Sequence, residues 1–287
     1  MFDMVGRPGE GRTFSGQRRV RLGDCSPGGR LRLDAATRYL QDLSDDDTRD
    51  AGFALMTWVV RRTVIDVLQF PTYLEPLDMV TWCSGLGSRW AERRVDIESA
   101  GGGVVSSATL WVHLDADTLR PASLTGGFGE VFAQSAVGRS VSSRLILAGP
   151  PTGMELTPWP VRFVDFDVMD HINNAVAFVV VEEVLAARRE LRAPLRVVVE
   201  YRSAIDRGMR LRMGRIDEPD GSDGWLLDDQ GGCPVAFRIS RPPFPVTGPV
   251  SGLVPVPVPG LVPAPVPAPV PGLVPVPRPP RPPGRPE

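Results

Sequence analysis

The sequence predicts an α+β chain built from two copies of one structural unit and followed by a proline-rich tail. Three observations point there. The order strand, loop, long helix, antiparallel strands occurs twice; each copy sets a loop of turn-forming and polar residues directly before its helix; and from Arg241 the composition changes abruptly to Pro, Val and Gly. With 287 residues, 42% of them hydrophobic, the chain holds enough apolar material for a sizeable core.

In the first copy, residues 13–23 read as a strand, residues 24–30 (Asp-Cys-Ser-Pro-Gly-Gly-Arg) as a loop and residues 31–52 as a helix. Leu33, Thr37, Leu40 and Leu43 fall on one helical face, and Gly52 supplies the stop. Four segments rich in β-branched and aromatic residues follow at 57–70, 78–87, 90–100 and 104–116, the last two joined by the glycine turn 101–103. They read as an antiparallel meander.

The second copy repeats the order: a strand over 155–166, a loop over 167–174 and a helix over 175–191. Val176, Val180, Val184, Ala187 and Leu191 form the apolar stripe of that helix. Strands follow at 194–205, 209–217, 224–229 and 233–240. A hydrophobic helix followed by a meander able to wrap it is the hotdog arrangement, and two in series make a double hotdog. The expected layout is a flexible lead over 1–12, an N-terminal hotdog over 13–148, a C-terminal hotdog over 149–240 and a disordered Pro/Val-rich tail over 241–287. In that tail 19 of 47 residues are proline and Gly-Leu-Val-Pro recurs at 252, 260 and 272. Such a segment lacks the N–H donors for helix or central strand and samples polyproline II.

Lys+Arg number 32 against 34 Asp+Glu, for a net charge of -2. All the basic residues are Arg. No bulk field favours nucleic acid or an anionic membrane surface. The three cysteines, Cys25, Cys83 and Cys233, are odd in number and far apart, which fits a reducing compartment. The N-terminal stretch carries glycine and charge where a signal peptide needs an apolar run, and no apolar run is long enough to span a bilayer. A soluble, cytoplasmic protein is expected, with no metal and no cofactor.

The chemistry concentrates in the second loop. Of two histidines, His113 lies in an alternating strand and is assigned no role. His171 lies in Asp-Phe-Asp-Val-Met-Asp-His-Ile-Asn-Asn (165–174), immediately before an apolar helix. One of Asp170, Asn173 and Asn174 suffices to cap that helix. The surplus of carboxylate, imidazole and amide suits hydrolysis at a carbonyl. Exposed N–H groups at a helix start can take up oxyanion charge, and a carboxylate beside an imidazole can activate water. The first loop keeps an acid, Asp24, but has neither histidine nor paired asparagines. No Gly-x-Ser-x-Gly elbow, metal-ligand spacing or phosphate loop competes with this reading.

The stretch 165–174 resembles the D-x-D-x-N-x-H-V-N-N signature of the acyl-acyl carrier protein thioesterases of plants and their bacterial relatives. The likeness extends through residues 30–42, 58–82 and 199–204 to most of residues 13–240. It implies hydrolysis of fatty acyl-acyl carrier protein to free fatty acid, with acyl carrier protein as partner. The family's catalytic Asp falls on Asp167 and its His on His171, with Asn173 as a further catalytic candidate. Its signature Asn falls on Met169, its Glu and Cys of R-R-E-C on Ala204 and Ile205, and its usual Tyr on Ala177. These departures leave a non-catalytic acyl-thioester-binding protein as an alternative, and an acyl-CoA thioesterase as another. Asn174, Tyr39, Leu43, Met56, Trp58 and Val60 are the expected substrate-binding residues, the last five lining an acyl tunnel in the first half. Arg188, Arg189 and Arg192, or Arg207, Arg210 and Arg212, are candidate contacts for an acidic carrier. A homodimer is kept as one assembly the chain could form.

Overall fold

The structure is a computed structural model and describes residues 4–54, 56–124 and 126–241. The tail expected to be disordered lies, beyond Arg241, outside the described residues. Ten strands form one antiparallel sheet: β1 (Thr13–Arg19), β2 (Thr57–Gln69), β3 (Pro76–Leu86), β4 (Trp90–Ser99), β5 (Val104–Leu114), β6 (Thr157–Trp159), β7 (Leu195–Tyr201), β8 (Leu211–Glu218), β9 (Gly221–Asp228) and β10 (Val235–Ser240). Their order is β1-β3-β4-β5-β2-β7-β10-β9-β8-β6. Read from either end it is the same sequence of elements, so the halves are joined at β2 and β7, where Val64 stands opposite Val198. The fold is a double hotdog.

Two long helices lie inside the sheet's curve. α1 (Leu33–Asp50) and α3 (Val176–Ala187) pack on each other and on the sheet, with Leu40, Leu43, Phe178, Val181, Val184, Ile65, Val197 and Phe237 in one buried cluster. Of the stripe expected on α3, Val180, Val184 and Leu191 are buried, Val176 is half-buried and Ala187 is exposed. Ala177, Phe178, Val181 and Leu185 are buried as well, because this helix is enclosed by sheet and partner helix and not packed on one side only.

The expected strand over 155–166 shortens to β6 and a 3-10 turn, Phe163–Asp165. Pro158 and Pro160 lack the N–H groups a longer ladder would use, and β6 sits at the sheet edge. Between the halves lies α2 (Phe128–Ala136), which the sequence reading did not anticipate; its Phe128 and Phe132 rings pack on Phe53, and Phe128 also on Trp58. Within the stretch 1–12, read as a flexible lead, Met4 is buried and Arg12 pairs with Asp47 at 2.7 Å and Asp50 at 2.5 Å. Its described part is held by these contacts, Met4 against Val64, Ala108 and Val198 of the sheet and Arg12 against the end of α1.

Candidate active site

The loops before α1 and α3 share one backbone design. In the first, Ser26 N–H donates to the Arg30 carbonyl (2.8 Å), Gly29 to Ser26 (2.9 Å) and Arg32 to Asp24 (2.9 Å). In the second, Asp167 donates to His171 (2.9 Å), Asp170 to Asp167 (3.0 Å) and Asn173 to Asp165 (2.9 Å). The same offset separates every pair. Asp24 and Asp165 both accept the backbone N–H three residues earlier, from Arg21 at 3.1 Å and Arg162 at 2.8 Å. The acid kept in the first loop is therefore the counterpart of the structural Asp165, whereas Asp167 corresponds to Ser26 and His171 to Arg30. Asp170 takes the left-handed backbone conformation (φ 61°) that Gly29 takes in the first loop (φ 82°).

Within the second loop, Asp167 Oδ1 accepts the Met169 N–H at 2.9 Å, which fixes a half-buried carboxylate. Val168 and Met169 project into solvent. Asn173 Oδ1 accepts the Ala175 N–H at 2.9 Å, an Asx turn just ahead of α3, and the N-cap position, Ala175, has no side-chain cap of its own. Asn174 is held through its carbonyl, which accepts the Tyr201 hydroxyl at 2.9 Å.

A residue absent from the sequence reading completes the cluster. Asp206 Oδ1 lies 3.4 Å from His171 Nε2, and the two residues form a β-bridge. Ile172 N–H donates to the Ile205 carbonyl at 3.1 Å, so the segment after β7 runs beside the loop. Asp206 stands two residues beyond Ala204. Nothing in the local pattern marks Asp206; only the pairing of distant segments does.

The first loop shows what its counterpart offers. Arg30 makes a two-point contact with Glu182 of α3 (2.9 and 2.7 Å), and Glu182 Oε1 also accepts the Leu33 N–H at 2.7 Å. A carboxylate oxygen thus sits on the N–H at the start of α1. The same offset carries Arg30 to His171, Leu33 to Asn174 and Gln41 to Glu182. In the second half the equivalent donor is Asn174 N–H, which has no acceptor among the described residues, and the α1 residue that corresponds to Glu182 is the neutral Gln41.

Gln41 lines a cavity of about 240 Å³ in the first half, together with Met56, Trp58, Trp111 and Phe128. Two of the five expected tunnel residues, Met56 and Trp58, are on its wall. Tyr39, Leu43 and Val60 are not: Tyr39 and Leu43 belong to the central core, and Val60 is buried beside Trp111 in the sheet. The Tyr39 hydroxyl donates to Asp24 Oδ2 at 2.5 Å, and burial with that carboxylate raises its pKa. Long apolar side chains on a helix face look alike in sequence whether they meet a core or a void. Burial pushes the Cys83 thiol up to about 11 and also raises Cys25, which leaves neither as a thiolate nucleophile.

The descriptions "Acyl-ACP thioesterase N-terminal domain" and "Acyl-ACP thioesterase C-terminal domain" match residues 11–132 and 150–224. An uncharacterized protein of Mycobacterium tuberculosis, present in two strains, is 33% identical over 219 residues, 76% of this chain and 87% of its own length. Among solved structures, the 12:0-ACP thioesterase from Umbellularia californica superposes with a TM-score of 0.66 at 18% identity, covering 79% of this chain and 96% of that one. An acyl-ACP thioesterase from Bacteroides thetaiotaomicron superposes with a TM-score of 0.62 at 16% identity, covering 79% and 97%. These structural likenesses establish the shared double-hotdog fold. No helix among the described residues is long and apolar enough to cross a membrane.

Proposed function

This chain belongs to the acyl-ACP thioesterase family, and from that premise we propose that the loop before α3 hydrolyses fatty acyl thioesters of acyl carrier protein to free fatty acid and carrier. The observation that carries this reading is the pairing of His171 with Asp206 in the loop that also holds Asp167 just ahead of α3, beside an N–H whose first-half counterpart already holds a carboxylate oxygen.

In the proposed reaction, the Asp167 carboxylate takes a proton from water as the water oxygen bonds to the thioester carbonyl carbon. The charge that develops on the carbonyl oxygen is met by the Asn174 N–H at the positive end of α3. Collapse breaks the carbon–sulfur bond, and the departing thiolate takes a proton from the His171 imidazolium. Asp206 orients that ring and stabilises its charge. The proton held on Asp167 then returns to His171, which restores the starting state.

Met169 and Ala204, the departures that favoured a binding-only descendant, weigh less in this arrangement. Met169 is exposed and contributes its backbone N–H, while Asp206 stands in for the carboxylate absent at 204. The Arg clusters considered for carrier docking are partly engaged already: Arg188 with Glu190 and Asp217, Arg207 with Asp170, and Arg210 with Asp229. Turnover of a panel of acyl-acyl carrier protein and acyl-CoA thioesters, with Asp167→Asn as control, tests the proposal. Hydrolysis of carrier-protein thioesters lost in the control supports it; preference for CoA reassigns the carrier, and no turnover of either refutes the activity.

A further inference from the structure

The two peptides that flank Asn174 are tied at every polar atom but one. The Asn173 carbonyl accepts the Val176 N–H at 2.9 Å, the Ala175 N–H goes to Asn173 Oδ1 at 2.9 Å, and the Asn174 carbonyl accepts the Tyr201 hydroxyl at 2.9 Å and the Ala177 N–H at 3.3 Å. Only the Asn174 N–H has no acceptor among the described residues. Because each peptide is planar, a bond at its carbonyl also sets the direction of its N–H. The free donor is therefore aimed by its bonded neighbours.

All of these bonds are local except the one from Tyr201, the last residue of β7. Its own carbonyl is held in turn, since Arg61 donates to the Tyr201 and Arg202 carbonyls at 3.0 and 3.4 Å. Arg61 is the extra residue of a β-bulge in β2, between Val60 opposite Trp111 and Arg62 opposite Leu110, and such a bulge re-aims a side chain. Burial raises the Tyr201 pKa, so the group stays a neutral O–H donor. The first half supplies the comparison. There Leu31 N–H donates to the Pro71 carbonyl at 2.8 Å as Ile172 does to Ile205, which makes Val67 the counterpart of Tyr201. Val67 has no hydroxyl to offer: the Leu33 carbonyl takes the Thr37 hydroxyl from one turn further along α1 at 2.8 Å, and the Leu33 N–H is filled by Glu182. The sheet hydroxyl thus stands in the half whose helix-start N–H is free.

We propose that Tyr201 is a positioning residue for the hydrolysis, its hydroxyl acting through the Asn174 carbonyl to hold the Asn174 N–H where the thioester oxygen gains charge. The proposal rests on the reading of the α3 loop as the hydrolytic site. A donor fixed before the reaction stabilises that charge without reorganising, and a loosened one contributes less. Ground-state binding of the acyl chain does not depend on it.

Tyr201→Phe removes the hydroxyl and keeps the ring, and is expected to lower kcat roughly tenfold with KM nearly unchanged. Two analogues of one chain length isolate the effect: a thioether, which has no carbonyl, and a trifluoromethyl ketone, whose hydrate mimics the tetrahedral intermediate. The parent should bind the ketone more tightly, and Tyr201→Phe should lose about tenfold on the ketone alone. Thr37→Val, which takes the hydroxyl from the Leu33 carbonyl in the other half, should leave kcat and both affinities unchanged. Parental kcat in Tyr201→Phe, or equal losses on the two analogues, would overturn the proposal. If Tyr201→Phe does not fold, Arg61→Met carries the test, with a ketone-selective loss supporting the proposal and any other pattern refuting it. If the parent turns over no thioester, the hydrolytic reading fails by itself and the titrations decide the rest: a preference for the ketone that Tyr201→Phe removes supports the proposal, and no preference, or one that survives the substitution, refutes it.

Discussion

Arg30 and Glu182, one on the loop before α1 and the other within α3, form a two-point hydrogen-bonded ion pair across the two halves at 2.9 and 2.7 Å. Their counterparts in the repeat are His171 and Gln41, which cannot form this ion pair. Glu182 is nearly buried and also accepts the Leu33 N–H. Glu182→Ala therefore strands a guanidinium and a helix-start N–H together, and should cost about 3 kcal/mol of unfolding free energy. Denaturant unfolding measures it. A variant as stable as the parent would mean that water serves the two donors equally well.

Asp167→Asn and His171→Ala should each lower kcat at least on the order of a hundredfold, the usual cost of losing a positioned proton-transfer group. Neither side chain is in the core, so the melting temperature should stay within a few degrees. Thioester turnover at parental rates in both variants removes this loop from the chemistry.

Asp206 is a positioning residue, and its substitution should leave a distinct mark. Asp206→Asn is expected to lower kcat about tenfold with little change in KM, while Asp206→Glu recovers part of the loss because a carboxylate is again within reach of Nε2. A loss confined to KM would place Asp206 in carrier binding instead.

Met56 and Tyr39 separate cavity from core. Met56→Trp narrows the cavity and should shift the preferred acyl length by a few carbons, since each buried methylene contributes about 0.8 kcal/mol. Tyr39→Phe lies off the cavity wall, so it should leave the length profile unaltered and instead destabilise the fold by about 1 kcal/mol through the lost bond to Asp24. Equal length profiles for parent and Met56→Trp would move the acyl chain elsewhere.

Asp34, in the first turn of α1, links stability to pH. Burial alone would raise its pKa, but hydrogen bonds from Arg32 and Arg38 outweigh burial and hold the carboxyl below its ordinary value. A folded pKa below the unfolded one contributes stability that is fully present above the unfolded value, about 3.9, and is lost as the pH falls through the folded value. Asp34→Asn should thus cost about 1 kcal/mol near pH 7, and the difference from the parent should close in acid. A difference constant from pH 7 to pH 2 would assign the effect to packing.

Much of this protein was written in local pattern. Period-two runs rich in β-branched residues gave the long strands β2 to β5, helical periodicity gave α1 and α3, and the recurrence of strand, loop, helix and meander gave the duplication. The loop 165–174 stood out because its polar side chains exceed what one helix cap needs. Each of these signals lies within a span of residues adjacent in the chain, where backbone geometry alone relates side chains to one another.

Tertiary structure decided the rest. α2 was not legible because nine residues with no side-chain cap make a marginal helix by propensity; the packing of Phe128 and Phe132 on Phe53 stabilises it. Asp206 reaches His171 only because the segment after β7 pairs with the loop before α3. Tyr39 and Leu43 fill the core while Met56 and Trp58 face a cavity, although all four look equally apt in sequence. Periodicity says which residues leave solvent. Whether they then meet another side chain or a space left for substrate depends on elements far away in the chain, whose approach is set by the closing of one sheet around two helices.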